Sequence, residues 1–290
     1  MLLLQLLVNG VQVGALHALT AAGFSLIFGS TRVFHFAHGA TFTLAAYVFY
    51  FLEAVAGWSW PVAVLAAAAV AVVFGLLVDR LVYAPIQRHE GSFFTVFVAS
   101  FGVVIVVQNV VGMVFGRGFV SVPTRLSHSV QIVPNLFVSP LAGIAILCAL
   151  AFFGGLQLFL TRTHVGMALR ALSDNPELVR AYGLQPRQLS TYAFALGSLL
   201  VVPGAIISGA TTGLNPAVGP HVMLISLAAT IVGGVGSLRG AACAGLLLGL
   251  AENVALWRLG TEWSEAFTFV VLFLFIVFRP SGFFGRAVAS

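Results

Sequence analysis

The sequence predicts an all-α fold, a polytopic transmembrane helical bundle, and three observations carry that prediction. Of the 290 residues, 60% are hydrophobic and only 7% are charged. Mean hydropathy is +1.08. Uncharged runs long enough to cross a bilayer recur from one end of the chain to the other. No soluble core absorbs that much apolar surface. The pattern gives about nine spans, within a range of eight to ten, in a single transmembrane domain over 1–290, with small-residue stripes at its helix contacts.

The first run, Leu2 to Phe28, has no charge and no basic segment before it, so it reads as a span and not as a signal peptide. Gly10, Gly14, Ala18 and Ala22 recur every fourth residue, which places a groove along one face where another helix backbone can approach closely. His17 lies in the same run, and a lone intramembrane histidine is expected to hydrogen-bond a neighbouring helix. A charged turn at Arg32 follows, then a second span through Phe51. That span opens on Phe36, Ala37, His38 and Gly39, polar and small residues at membrane depth, expected to be irregular backbone lining a substrate pathway. His35 and His38 have metal-ligand spacing but no third ligand nearby, so no metal is expected.

The third span, Trp60 to Leu77, starts at two interfacial indoles, Trp58 and Trp60, and ends in the charges Asp79, Arg80, Arg88 and Glu90. The fourth, Phe93 to Phe115, carries Gln108 and Asn109, which could contact substrate but are expected rather to hydrogen-bond between helices. A polar connection from Arg117 to Pro134 leads into a fifth span from about Leu136 to Leu160. Between Gln188 and Leu238 lie 51 residues without a formal charge, which Gly213 to His221 divides into two spans. Pro203-Gly204 predicts a kink, and the glycine-rich run before Arg239 reads as a turn or an unwound segment. Ala241, Gly245 and Gly249 then repeat the every-fourth spacing. A last span occupies roughly Ala266 to Phe278.

One stretch stands apart. Arg162 to Arg187 holds four Arg, one Asp and one Glu in 26 residues, and long ordered connections are usually functional. Asp174 or Asn175 can cap a helix, Pro176 suits its first position, and Gly183 can end it in the left-handed conformation. The spacing predicts a two-turn helix from about Pro176 to Tyr182. Leu178 and Tyr182 fall on one face, Glu177 and Arg180 on another. Such a helix suits insertion into a groove on a partner; a solvated loop of helical habit is the plainer alternative.

Composition excludes several functions. All 13 basic residues are arginine, which removes an ordinary phosphate-binding P-loop and a lysine Schiff base. The net charge of +5 bears on membrane topology, not on nucleic acid. Cys148 and Cys243 read as buried packing residues. No nucleophile elbow, paired acids or HExxH appears, so no catalytic residues are expected. Glu252 beside Asn253 is the one acid inside an apolar run, and a polar functional site and a structural hydrogen bond both fit it.

Three separated motifs carry a family resemblance. His35-Phe36-Ala37-His38-Gly39 resembles the N-F-A-H-G signature of the permease subunits of branched-chain amino acid ABC importers of the LivH type, with His35 where Asn is usual. The span before it, the Arg162 to Arg187 segment and Gly233 to Gly240 extend the resemblance to nearly the whole chain. It implies that 162–187 is a cytoplasmic coupling loop, with Arg170, Ala171, Pro176, Glu177, Leu178, Ala181, Tyr182 and Gly183 meeting an ATPase. It also implies a second related permease subunit, two ATP-binding cassette ATPases that bind ATP and Mg, a periplasmic solute-binding protein, and residence in a bacterial inner membrane. This chain itself would bind no cofactor and be no enzyme. Urea, amides or other small solutes remain alternative cargoes, and an ion-coupled secondary transporter is an alternative mechanism. With the loop inside, ten of the 13 arginines, Arg286 among them, fall on the cytoplasmic side, giving an external N-terminus and an internal C-terminus.

Overall fold

A computed structural model describes residues 2–89, 92–122, 124–134, 136–279 and 282–284; Glu90 and Arg286 lie outside the described residues. The helices are α1 (Leu2–Thr31), α2 (His38–Tyr50), α3 (Trp60–Leu77), α4 (Ala84–Arg88), α5 (Phe93–Phe115), α6 (Pro140–Arg162), α7 (His164–Asp174), α8 (Pro176–Ala181), α9 (Pro186–Thr211), α10 (Val218–Gly233), α11 (Leu238–Leu259) and α12 (Thr261–Phe278). A π-helical stretch, Phe51–Val55, prolongs α2, and another, Val78–Tyr83, joins α3 to α4. The multi-span all-α class is therefore realised. Among the described residues, six helices are long and apolar enough to cross a bilayer, and Val218–Gly233 and Ala266–Phe278 are shorter apolar helices. Length and composition thus mark six spans where about nine were expected.

Both faces of these helices are apolar, so polarity cannot decide which face turns inward, and side-chain size does. On α3 the buried residues are Ala63, Ala67, Ala71 and Gly75, one per turn, while Val62, Leu65, Val73 and Leu77 point outward. The outer faces of α5, α6 and α12 likewise expose Phe94, Met113, Leu147, Leu150 and Phe273, as lipid contact requires. The two small-residue grooves prove to be halves of one contact. A Cβ on Gly14 would lie 2.8 Å from the Leu246 carbonyl oxygen, one on Gly245 would lie 2.6 Å from the Ala18 nitrogen, and Gly249 abuts the Gly14 backbone. Helix α1 is in this way clamped to α11, with α9 and α10 on its other sides.

Several expectations are corrected. The fifth span does not begin at Leu136: Val130–Val133 (β1) and Leu136–Val138 (β2) pair as an antiparallel hairpin, and α6 starts at Pro140 with Ser139 as its cap. Two others stand uncorrected: α9 runs through Pro203 without interruption, and of the two alternatives for the glycine-rich run the turn is the one formed, ended by Ser237, which caps α11. Cys243 is exposed and Cys148 half-buried, so neither is a core residue. Asn109 donates to the Ile105 carbonyl of its own helix instead of bridging to another.

Candidate functional site

A cavity of about 580 Å³ is walled by α1, α2, α6, α9, α10, α11 and the hairpin. It occupies one end of the bundle: α1 contributes Gln5 to Thr20, and α9 contributes its last turns from Gly204 to Thr212. The polar segment 162–187, between α6 and α9, is at the opposite end of those helices. Gln5, Asn9 and Gln12 fall at helical spacing on one face of α1, joined on the wall by Ser208, Thr211, Thr212, His221 and Asn253. Gln5 holds the hairpin, donating to the Phe137 carbonyl at 2.7 Å and accepting from its N–H at 2.8 Å. Apolar wall is supplied by Leu16, Phe42, Ala142, Val222 and Leu256.

Among the described residues, Glu252 is the sole acid on this wall, and no arginine lines it. Its Oε2 is 3.4 Å from His17 Nε2 across the α1–α11 contact. Both readings of Glu252 thus meet in one place: it is paired with a neighbouring helix, and it faces a cavity. His17 is the hydrogen-bonding intramembrane histidine the sequence called for, with Glu252 as the partner that sequence alone left unnamed.

Phe36, Ala37, His38 and Gly39 lie behind the cavity floor and do not line it. All four are buried. Ala37 N–H donates to Ser100 Oγ at 2.8 Å, as does Tyr83 Oη, which in turn is 2.8 Å from His35 Nδ1. His38 Nε2 donates to the Thr20 carbonyl at 3.0 Å, and Thr20 is on the cavity wall. Gly39 meets Gly219, so the starts of α2 and α10 touch directly beneath the cavity. His35 and His38 pin this turn in place. Among the described residues, no three His, Cys, Asp or Glu side chains gather as a metal site.

At the other end, Asn175 takes the capping role: its Oδ1 accepts from Glu177 N and Leu178 N, each at 3.0 Å. Gly183, at φ +77°, ends α8 with its N–H on the Arg180 carbonyl and the Leu184 N–H on the Val179 carbonyl. Helix α8 runs one residue shorter than the two turns expected. It buries Val179 and leaves Leu178 53% and Tyr182 79% exposed. Leu178, Tyr182, Leu184 and Ala171 border a shallow apolar groove. Helix α7 was not expected from the sequence; its Leu169 and Leu172 pack on Leu156, Leu160 and Leu189. The segment is tied down near its middle and at its C-terminal end. Arg32 donates to the Ser173 carbonyl at 3.2 Å, and Arg187 donates to Asp79 Oδ1 at 3.3 Å with its Nη2 3.2 Å from Oδ2.

A multi-span helical bundle with a cavity of mixed polar and apolar lining at one end and a braced, partly apolar helical loop at the other belongs to the class of solute-translocating membrane proteins. The chain belongs to the family described as branched-chain amino acid transport system / permease component, whose profile matches residues 6–276. It is 29% identical to the high-affinity branched-chain amino acid transport system permease protein BraD of Pseudomonas aeruginosa, over 98% of this chain and 96% of that one. The corresponding protein LivH of Escherichia coli K12 is 26% identical over the same shares, 98% and 96%. A probable LivH of Methanocaldococcus jannaschii is 25% identical over 92% of this chain and 88% of its own. Among solved structures, PsaBC from Streptococcus pneumoniae in complex with Fab matches 97% of this chain and 93% of that one, with a TM-score of 0.52 and 12% identity, a likeness of fold alone.

Proposed function

We propose that the chain is the membrane-spanning subunit of an ATP-driven importer that moves branched-chain or related amino acids across a bacterial inner membrane. The observation that carries this reading is the division of the molecule into a cavity of mixed polar and apolar lining at one end and an exposed, capped helix at the other. Nine crossings, α1, α2, α3 with its continuation, α5, α6 and α9 to α12, leave the N-terminus and the cavity outside and the C-terminus and 162–187 inside. A periplasmic binding protein delivers solute to the cavity. Two ATPase chains, binding ATP and Mg, receive α8 through Leu178 and Tyr182, with Arg170, Ala171, Pro176, Glu177, Ala181 and Gly183 shaping or bordering that contact. A second related permease chain completes the channel. Phe36 to Gly39 form the plug below the cavity that must part for solute to pass.

The test is uptake by the assembled complex in proteoliposomes. ATP-dependent leucine entry that requires the ATPase chains is the expected result; a complex that hydrolyses ATP and carries no amino acid ends the proposal. The Glu252–His17 pair favours one second reading, an ion-coupled carrier. Uptake by this chain alone, driven by an ion gradient, would decide for it. Urea or amides as cargo would appear as uptake of those solutes in place of leucine.

A further inference from the structure

Glu252 is a carboxylate on a membrane helix, the kind of group that is costly there unless it pairs or faces water. Its pairing is loose. The 3.4 Å to His17 is longer than the roughly 2.7–2.9 Å of a charge-assisted hydrogen bond, and 18% of the Glu252 side chain remains exposed to the cavity. Around it the wall offers amides and hydroxyls from Asn9, Gln12, Ser208 and Asn253, and apolar surface from Leu16 and Phe42. At about 580 Å³ the cavity is within the range of small-molecule sites, roughly 300–1,000 Å³. One negative group with His17 and His221 beside it on the wall, neutral hydrogen-bonding groups and apolar surface match a small molecule that carries an ammonium group and a hydrocarbon chain.

We propose that Glu252 binds the ammonium group of the transported amino acid, making the cavity between α1, α9, α10 and α11 a substrate-binding site within the membrane subunit itself. This rests on the reading of the chain as an amino-acid permease, and adds to it a cargo contact inside the membrane and the group that makes it. His17 holds the carboxylate toward the cavity and yields part of it when the ammonium arrives.

The test uses the assembled importer in nanodiscs, with Cys148→Ser and Cys243→Ser to remove native thiols and Ser208→Cys as a reporter on the cavity wall. The rate at which a small thiol reagent labels the reporter is measured with three probes: L-leucine, 3-methylbutylamine, which keeps the ammonium and lacks the carboxylate, and 4-methyl-2-oxopentanoate, which lacks the ammonium. Leucine and the amine slow labelling and the keto acid does not. Glu252→Gln raises the half-protecting concentration of both amines about tenfold or more, and Glu252→Asp, which keeps the charge, retains part of the protection. Equal protection by the keto acid, no protection by the amines, or an unchanged half-protecting concentration in Glu252→Gln overturns the assignment. If that variant fails to assemble, the three-probe comparison with Glu252 in place still decides. ATP-driven leucine uptake by the same preparation separates the two readings: uptake without protection removes the Glu252 site alone, whereas ATP hydrolysis without uptake removes the permease reading as well.

Discussion

Gly14, Gly245 and Gly249 illustrate how single residues set this bundle's geometry, because the α1–α11 contact exists only where there is no side chain to hold the backbones apart. Gly249→Leu is therefore expected to destabilise by about 2–3 kcal/mol through overpacking, seen as a lower unfolding temperature in detergent. Cys243→Leu, on the exposed face of the same helix, should stay within about 0.5 kcal/mol. A second residue-scale prediction concerns Asp79, whose side chain is 3% exposed while that of Arg187 is 43% exposed. Arg187→Ala leaves a buried carboxylate without its ion-pair partner, with Arg80 still acting on it, and should cost about 1–3 kcal/mol, toward the lower end because solvent reaches the guanidinium. Asp79→Asn in the Arg187→Ala background should recover much of that loss in the same measurement, since the remaining group no longer carries a charge. A double variant no more stable than Arg187→Ala would show that the pair does not bear on folding.

At the scale of elements, α8 is too short to persist by itself, and its two ends hold it. Asn175→Ala removes a cap worth about 1 kcal/mol, and Gly183→Ala forces a side chain into the left-handed region at a cost of about 1–2 kcal/mol. Both variants should insert normally and lower the uptake obtained per ATP hydrolysed in the reconstituted complex; unchanged coupling in both would remove α8 as the docking element. Leu178→Glu and Tyr182→Glu act differently, placing charge on exposed apolar positions without disturbing the helix. They are expected to abolish co-purification of the ATPase chains. The helix was legible in the sequence because Asn-Pro and Gly punctuate it. Helix α7 was legible too, in the Leu169 and Leu172 spacing, but the arginines around it gave the segment the look of a solvated loop.

For the whole molecule, sidedness is the consequence that labelling can read. With native cysteines replaced, a thiol at Ser129 beside the cavity should react with an impermeant reagent added outside, and one at Arg170 only after the membrane is opened. The reverse pattern would invert the topology. By itself the sequence determined the membrane class, the small-residue stripes and the capped loop helix, because hydropathy, helix period and capping are local properties. It also held the amides Gln5, Asn9 and Gln12 on one helical face, a signal that passed unread among apolar neighbours. Only the tertiary structure decided that the two glycine stripes face each other, that His17 meets Glu252 across 235 positions, and that Phe36 to Gly39 sit under the cavity and not on its wall. In a bundle apolar on every face, hydrophobicity does not say which helix adjoins which; close backbone approach and the few buried hydrogen bonds do, and these arise between residues far apart in the chain.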